Sequence, residues 1–160
     1  MLAVTSDPLS IEVLAHDVEG RLRHQGEGCG AVATFLGLVR ATHQGKAVRY
    51  LVYEAFAPLA VRSFELIRDE VAREWPGAAL AMVHRVGRLE IGEASIAIAA
   101  ATAHRADAFA VCRYAIERVK QITPVWKHEY FEDGDAWVEG ALANPDDEDA
   151  RARARAIACA

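Results

Sequence analysis

The sequence predicts an α+β single domain, a mixed sheet with packed helices, and three observations carry that prediction. Segments with apolar residues at helical spacing (11–22, 58–75 and 105 to the residues before Pro124) alternate with short apolar runs of strand length (30–36, 48–56, 79–86 and 95–102). That pattern requires helices lying against a sheet. The segment from Val125 to Val138 alternates in polarity and turns at Asp133-Gly134, the signature of an antiparallel hairpin, so the sheet is not purely parallel. A chain of 160 residues with 52% apolar content supports one sizeable core and not two. The domain is expected over residues 1–140, followed by a charged tail over 141–160.

Ser10 is the expected N-cap of a first helix with the buried stripe Ile11, Leu14, Ala15, Val18 and Leu22, ending in the Gly26 to Gly30 region. Residues 30–36 form a strand too apolar for a sheet edge, which delivers Gly37 and then Arg40 to a polar loop of Thr42, His43, Gln44, Gly45 and Lys46. Along 48–56, Tyr50, Val52 and Glu54 share one face and Leu51, Tyr53 and Ala55 the other, and Glu54 is expected to have a partner. Pro58 suits the first turn of a long helix, where its missing N–H costs nothing. Ala60, Phe64, Ile67, Val71 and Trp75 trace that helix's packed face, and Pro76-Gly77 ends it. The strands 79–86 and 95–102 are joined by a turn or excursion containing Gly87 and Gly92.

The last of these strands ends on His104-Arg105, and a helix follows with Phe109, Cys112, Ala115, Ile116 and Val119 on one face. It stops before Pro124, which excludes helical geometry in the residue ahead of it, so Lys120 sits on the last turn. In the strand beyond, Lys127 and Glu129 share a face, and Trp126 on the alternate positions is assigned to the core. After Gly140, Asp146-Asp147-Glu148-Asp149 and the arginines 151, 153 and 155 read as a solvated, partly helical tail without a catalytic role.

Composition removes several function classes. The net charge of −5 and the scattered arginines argue against nucleic acid as a partner. No apolar stretch approaches the ~20 residues that span a bilayer, and Asp7, Glu12, Asp17 and Glu19 interrupt any signal-peptide core, so the expected location is cytoplasmic. Cys29, Cys112 and Cys159 are widely spaced with no C-x-x-C pair, which indicates reduced, non-catalytic thiols. The histidines show no metal-binding spacing and no P-loop is present, so neither a metal nor a cofactor is expected.

The chemistry concentrates between Ala103 and His128, where Arg105, Arg113, Arg118, Lys120 and Lys127 outnumber Asp107 and Glu117. A cationic site in an acidic chain points to an anionic ligand. His104 and Arg105 at a helix start suit a phosphate. Lys120 at a helix C-terminus complements the helix dipole. As a base or nucleophile it would have to be neutral, and an ordinary lysine with a pKa of ~10.4 becomes so only under the field of neighbouring cations such as Lys127 and Arg105.

The run Ala-His-Arg-x-x-Ala-Phe from Ala103, then Lys120, Pro124-Val125-Trp126-Lys127-His128-Glu129 and Gly134-Asp135-x-Trp137-Val138 resembles the large, catalytic subunit of molybdopterin synthase, the MoaE family. Upstream, Thr34-Phe35-Leu36-Gly37-Leu38-Val39-Arg40, Leu51-x-Tyr53-Glu54-Ala55-Phe56 and His84-Arg85-Val86-Gly87-Arg88-Leu89-x-Ile91-Gly92-Glu93 extend the similarity, which covers roughly Pro8 to Ala141. The resemblance implies an α/β hammerhead fold and a sulfurtransferase. It would act on cyclic pyranopterin monophosphate, forming a dithiolene with sulfur from the thiocarboxylated C-terminal Gly-Gly of a small ubiquitin-like subunit. It implies Lys120 and Lys127 as catalytic lysines, and a substrate site of Leu38, Val39, Arg40, His104, Arg105, Lys120, Lys127, His128 and Glu129. It further implies a homodimer within a heterotetramer, with pockets built from both large chains. His128 stands where relatives commonly have Lys or Arg, and Ala103 where many have Ser. The alternatives from other classes are a non-catalytic module that captures a Gly-Gly tail or an anionic metabolite, and a phosphohydrolase.

Overall fold

The computed structural model describes residues 1–24, 28–138 and 144–160. Along the chain run β1 (Leu2–Thr5), α1 (Ile11–His24), β2 (Ala31–Leu38), β3 (Thr42–His43), β4 (Lys46–Ala55), α2 (Ala57–Glu74), β5 (Ala79–Arg85) and β6 (Gly87–Glu90). They are followed by β7 (Ala94–Thr102), α3 (Arg105–Ile122), β8 (Val125–Phe131), β9 (Gly134–Val138) and α4 (Glu148–Ala158). The α+β class follows directly.

Two sheets form. The first has the order β1-β5-β7-β2, with β1 parallel to β5 and the other pairs antiparallel. Its central strands are buried on both faces, which is why they read as continuous apolar runs. Leu80, Met82, Ile96, Ile98 and Ala100 point to the side covered by α2, α3 and α4. Ala79, Ala81, Val83, Ala97, Ala99 and Ala101 point to the other side, where these small side chains let Leu14, Val18 and Leu22 of α1 pack closely. Ser10 caps α1 by accepting from the Val13 N–H at 3.3 Å. On α2, Ala60, Phe64, Ile67 and Val71 are each at most 1% exposed, so truncating Phe64 to Ala would cost ~3–5 kcal/mol.

In the second sheet β4 is central. β8 pairs along one edge with β9 beyond it, and β3 and β6 pair along the other. The excursion containing Gly87 and Gly92 is thus β6, which crosses from the first sheet to the second. Val39, Val48, Leu51, Leu89 and Phe131 form a small separate core under this sheet.

Five expectations need correction. β2 is an edge strand: only alternate residues face the core, and Val32, Leu36 and Leu38 are exposed. On α3 the buried line runs through Ala108, Val111, Cys112, Ala115, Val119 and Ile122, one residue round from the expected stripe, which leaves Phe109 68% exposed. Trp126 is half-buried and belongs to no core cluster among the described residues, because its face of β8 points away from the first sheet. Glu54 is exposed and forms no ion pair among the described residues. The segment after residue 144 is helical, and it is not solvated all round: Arg153 and Arg155 are exposed, but one face is buried. Ala150 and Ala154 are at most 2% exposed and pack with Ala158 against the core beside α3, a flat alanine face that the alternating arginines concealed. The boundary expected at residue 140 lies outside the described residues.

Candidate active site

A cleft of about 680 Å³ opens between the end of β2, the C-terminal turn of α3 and the inner face of β4 and β8. Each charged side chain reaches it by a local device. The register of β2 against β7 shifts between Gly37 and Leu38, a bulge that redirects the chain. A Cβ on Gly37 would lie 2.7 Å from Ile96 Cγ2, so only glycine passes here without displacing the Ile96 side chain on the neighbouring strand. Beyond the bulge the Val39 N–H donates to the Glu93 carbonyl and Val39 accepts from the Gly92 N–H, both at 2.9 Å, which brings Leu38, Val39 and Arg40 out along the rim. Glu93 is itself braced. Its carboxyl accepts from the Glu90 N–H and from Arg85, and these bonds, the backbone one first, hold it below the usual carboxylate range.

At the end of α3 the Thr123 N–H donates to the Val119 carbonyl, and the Thr123 hydroxyl pairs with Ser63 of α2 at 2.9 Å in the interior. The last turn is therefore anchored, and Lys120 projects from it exposed into the cleft. On β8, alternation sends Val125, Lys127 and Glu129 to the cleft. Lys127 Nζ lies 2.6 Å from Glu129 Oε1, and His43 Nδ1 lies 2.5 Å from Oε2. Glu129 is 2% exposed. Burial pushes its carboxyl up, but hydrogen bonds from Lys127 and His43 outweigh that and leave it below the ordinary value.

His84 lies in the cleft wall, 6% exposed and edge-on to Tyr53 at 5.3 Å. Its Nδ1 is 2.8 Å from the Arg85 carbonyl, which can only accept, so the Nδ1–H tautomer is set. Burial lowers its pKa and keeps the ring neutral.

Of the expected site residues, Leu38, Val39, Arg40, Lys120, Lys127 and Glu129 come together, and three do not. His104 and Arg105 stand exposed at the start of α3, about 22 Å along the helix from Lys120. Arg105 therefore exerts no field on Lys120 within one chain. His128 is on the opposite face of β8 from Lys127, stacked on Trp137 at 4.4 Å and bonded to Asp135 at 2.5 Å. The residues that sequence reasoning left out are His43, His84 and Tyr53. His43 has no local signal beyond the glycine of its turn, since its partner is 86 positions away. The thiols lie elsewhere. Cys112 is buried on α3 with its pKa pushed up to about 11 by desolvation, and no cysteine lines the cleft. Among the described residues no group of three or more His, Cys, Asp or Glu side chains has metal-binding placement.

The family model described as MoaE protein matches residues 4–122. The chain belongs to the MoaE family. It is 48% identical over 113 residues to the molybdopterin synthase catalytic subunit of Halalkalibacterium halodurans, covering 71% of this chain and 72% of that protein. Against the protein of the same name from Bacillus subtilis, identity is 42% over 139 residues, 87% of this chain and 85% of the relative. The crystal structure of molybdopterin synthase from Staphylococcus aureus superposes with a TM-score of 0.79 at 36% identity, over 86% of this chain and 96% of that one. A complex of subunits 1 and 2 of the molybdopterin-converting factor from Helicobacter pylori shares the fold, with a TM-score of 0.68 at 20% identity over 88% of this chain and 91% of that one. This MoaE chain thus carries the cleft, the two lysines and the rim arginine on its family's fold. No helix among its described residues is long and apolar enough to cross a membrane.

Proposed function

We propose that this chain is the catalytic subunit of a molybdopterin synthase, a cytoplasmic sulfurtransferase that converts cyclic pyranopterin monophosphate to the dithiolene. The observation that carries the reading is the convergence of Lys120, Lys127 and Arg40, from three separate elements, on one cleft in a chain of this family. Arg40 suits a phosphate through charge-assisted hydrogen bonds. The cleft is open to a narrow tail such as a C-terminal Gly-Gly, whose thiocarboxylate sulfur forms the new C–S bond while the C–O bond at the same pterin side-chain carbon breaks, its oxygen leaving with a proton or on the phosphate. Water then cleaves the acyl–sulfur bond, leaving sulfur on the pterin and a carboxylate on the small subunit. Lys120 and Lys127 assist the attack and the accompanying proton transfers, and two rounds complete the dithiolene.

The site is completed by a second copy. His104 and Arg105 lie too far from the cleft of their own chain, while the apolar edge of β2 is exposed with Val32, Leu36 and Leu38 uncovered, which supports a homodimer flanked by two small subunits. Conversion of the precursor by this chain with a thiocarboxylated small subunit tests the activity; absence of product would refute it. Mixing Lys120→Ala and Arg105→Ala chains tests the shared pocket. In a two-fold dimer, random reassortment places one intact site in half the dimers, so about a quarter of wild-type activity returns. No recovery from two inactive parents would refute the shared site.

A further inference from the structure

We infer that His43 is a positioning residue for Lys127, acting through Glu129. The inference rests on the proposed role of Lys127 in sulfur transfer.

Glu129 is buried with both carboxylate oxygens occupied: Oε1 accepts from Lys127 Nζ and Oε2 from His43 Nδ1. The two partners fix the carboxylate plane, and that plane aims the ammonium of Lys127. Without His43 one buried oxygen is left bare, which costs enough that the carboxylate turns or draws in water, and Lys127 moves with it. His43 is built into place. The turn between β3 and β4 has Gln44 and Gly45 at positive φ (49° and 80°), the two-residue turn that matches strand twist, and it pairs His43 with Lys46. Lys46 is tied in turn to Asp133 at 3.3 Å.

His43 donates from Nδ1–H, because the Glu129 carboxylate can only accept. The other charged or titratable groups around this cleft are Arg40, Lys120, Tyr53 and His84, with the Lys46–Asp133 pair at the turn. His43 is the histidine among them in direct contact with the Lys127–Glu129 pair.

The test uses full-length wild type, His43→Ala and His43→Gln. Glutamine can still donate to Glu129. Single-turnover sulfur transfer is followed with the small subunit present. In parallel, nitrogen-labelled lysine NMR follows the Lys127 ammonium, a readout that needs no turnover. His43→Ala is expected to slow transfer about tenfold, the scale of one charge-assisted hydrogen bond, and to move the Lys127 resonance. His43→Gln should recover most of the rate and return the resonance toward its wild-type position. A wild-type rate in His43→Ala, or a Lys127 resonance at the same position in all three proteins, would overturn the inference. If wild type itself makes no product while its Lys127 resonance moves in His43→Ala and returns in His43→Gln, the proposed function fails and the positioning role stands.

Discussion

Arg118 of α3 clamps Glu70 of α2 inside the protein, with Nε 2.9 Å from Oε2 and Nη2 2.7 Å from Oε1. Tyr114 adds its hydroxyl to Oε2 at 2.8 Å, and Arg151 of α4 brings Nε to 3.2 Å from Oε1, an ion pair not aligned as a hydrogen bond. One buried carboxylate therefore ties together α2, α4 and α3, close to the last turn that carries Lys120. Arg118→Ala leaves that charge unmatched and is expected to cost ~3–5 kcal/mol, read from urea unfolding followed by circular dichroism. Arg151→Ala, whose partner keeps its bidentate arginine, should cost far less.

Gly37 governs the rim. Gly37→Ala forces its new methyl against Ile96 Cγ2, an overpacking expected to cost ~1–3 kcal/mol and to displace Leu38, Val39 and Arg40 from the cleft. Unfolding and precursor titration on Gly37→Ala and on the double variant with Ile96→Ala check this. The double variant should regain precursor affinity even though a cavity keeps it less stable.

The elements were legible because their signals are local: the two-sided burial of β5 and β7, Pro58 and Pro124 at helix ends, and the Asp133-Gly134 turn each show in a few adjacent residues. Lys120, Lys127, Glu129 and Arg40 were legible for the same reason, since one helix end, one alternating strand and one strand end place them. What could not be read depends on long-range partners. Phe109 and Cys112 are both compatible with a helical stripe, and only the position of the sheet decides which is buried. Arg151, one of an alternating row with Arg153 and Arg155, looks as solvated as they are until Glu70 supplies a buried acceptor. His104, Arg105 and His128 belong to the same stretch of sequence as Lys120 and Lys127, yet a helix length or a strand face separates them in space.

His84 makes folding pH-sensitive. Burial depresses its pKa, so the unfolded chain binds its proton first as pH falls below ~6.5, and stability is lost progressively from there down to the lowered folded value. Above that window the residue contributes no slope. His84→Gln should flatten the decline in unfolding free energy on the acid side of neutrality and leave the alkaline side unchanged. Equal slopes in the two proteins would show that other groups dominate.

Thiol chemistry on this chain is expected to be dispensable. Cys112 is buried in the α3 stripe with a raised pKa, Cys29 bonds weakly to the Ala31 carbonyl, and Cys159 follows α4, all outside the cleft. Replacing Cys29 and Cys159 by Ser and Cys112 by Ala should preserve conversion at near wild-type rate. Loss of activity with the circular dichroism spectrum intact would place a protein thiol in the sulfur path.

Lys120 and Arg40 line the same cleft but should separate chemistry from binding. A guanidinium holds a phosphate by planar, charge-assisted hydrogen bonds and does not give up its proton, whereas an amine can serve both as a charge and as a proton carrier. Arg40→Ala is expected to weaken precursor binding by roughly ten- to a hundredfold, the loss of ~1.5–3 kcal/mol, with transfer from bound precursor little changed. Lys120→Ala should bind precursor nearly normally and fail to transfer sulfur. Lys120→Arg is the sharper variant, because it preserves the positive charge on the last turn of α3 and removes the capacity to deprotonate. Precursor titration and single-turnover transfer on the three variants give each quantity separately. A lysine acting as base or nucleophile predicts that Lys120→Arg is as inactive as Lys120→Ala. If Lys120→Arg instead transfers sulfur at near wild-type rate, Lys120 acts only through its charge and joins Arg40 as a clamp for the phosphate.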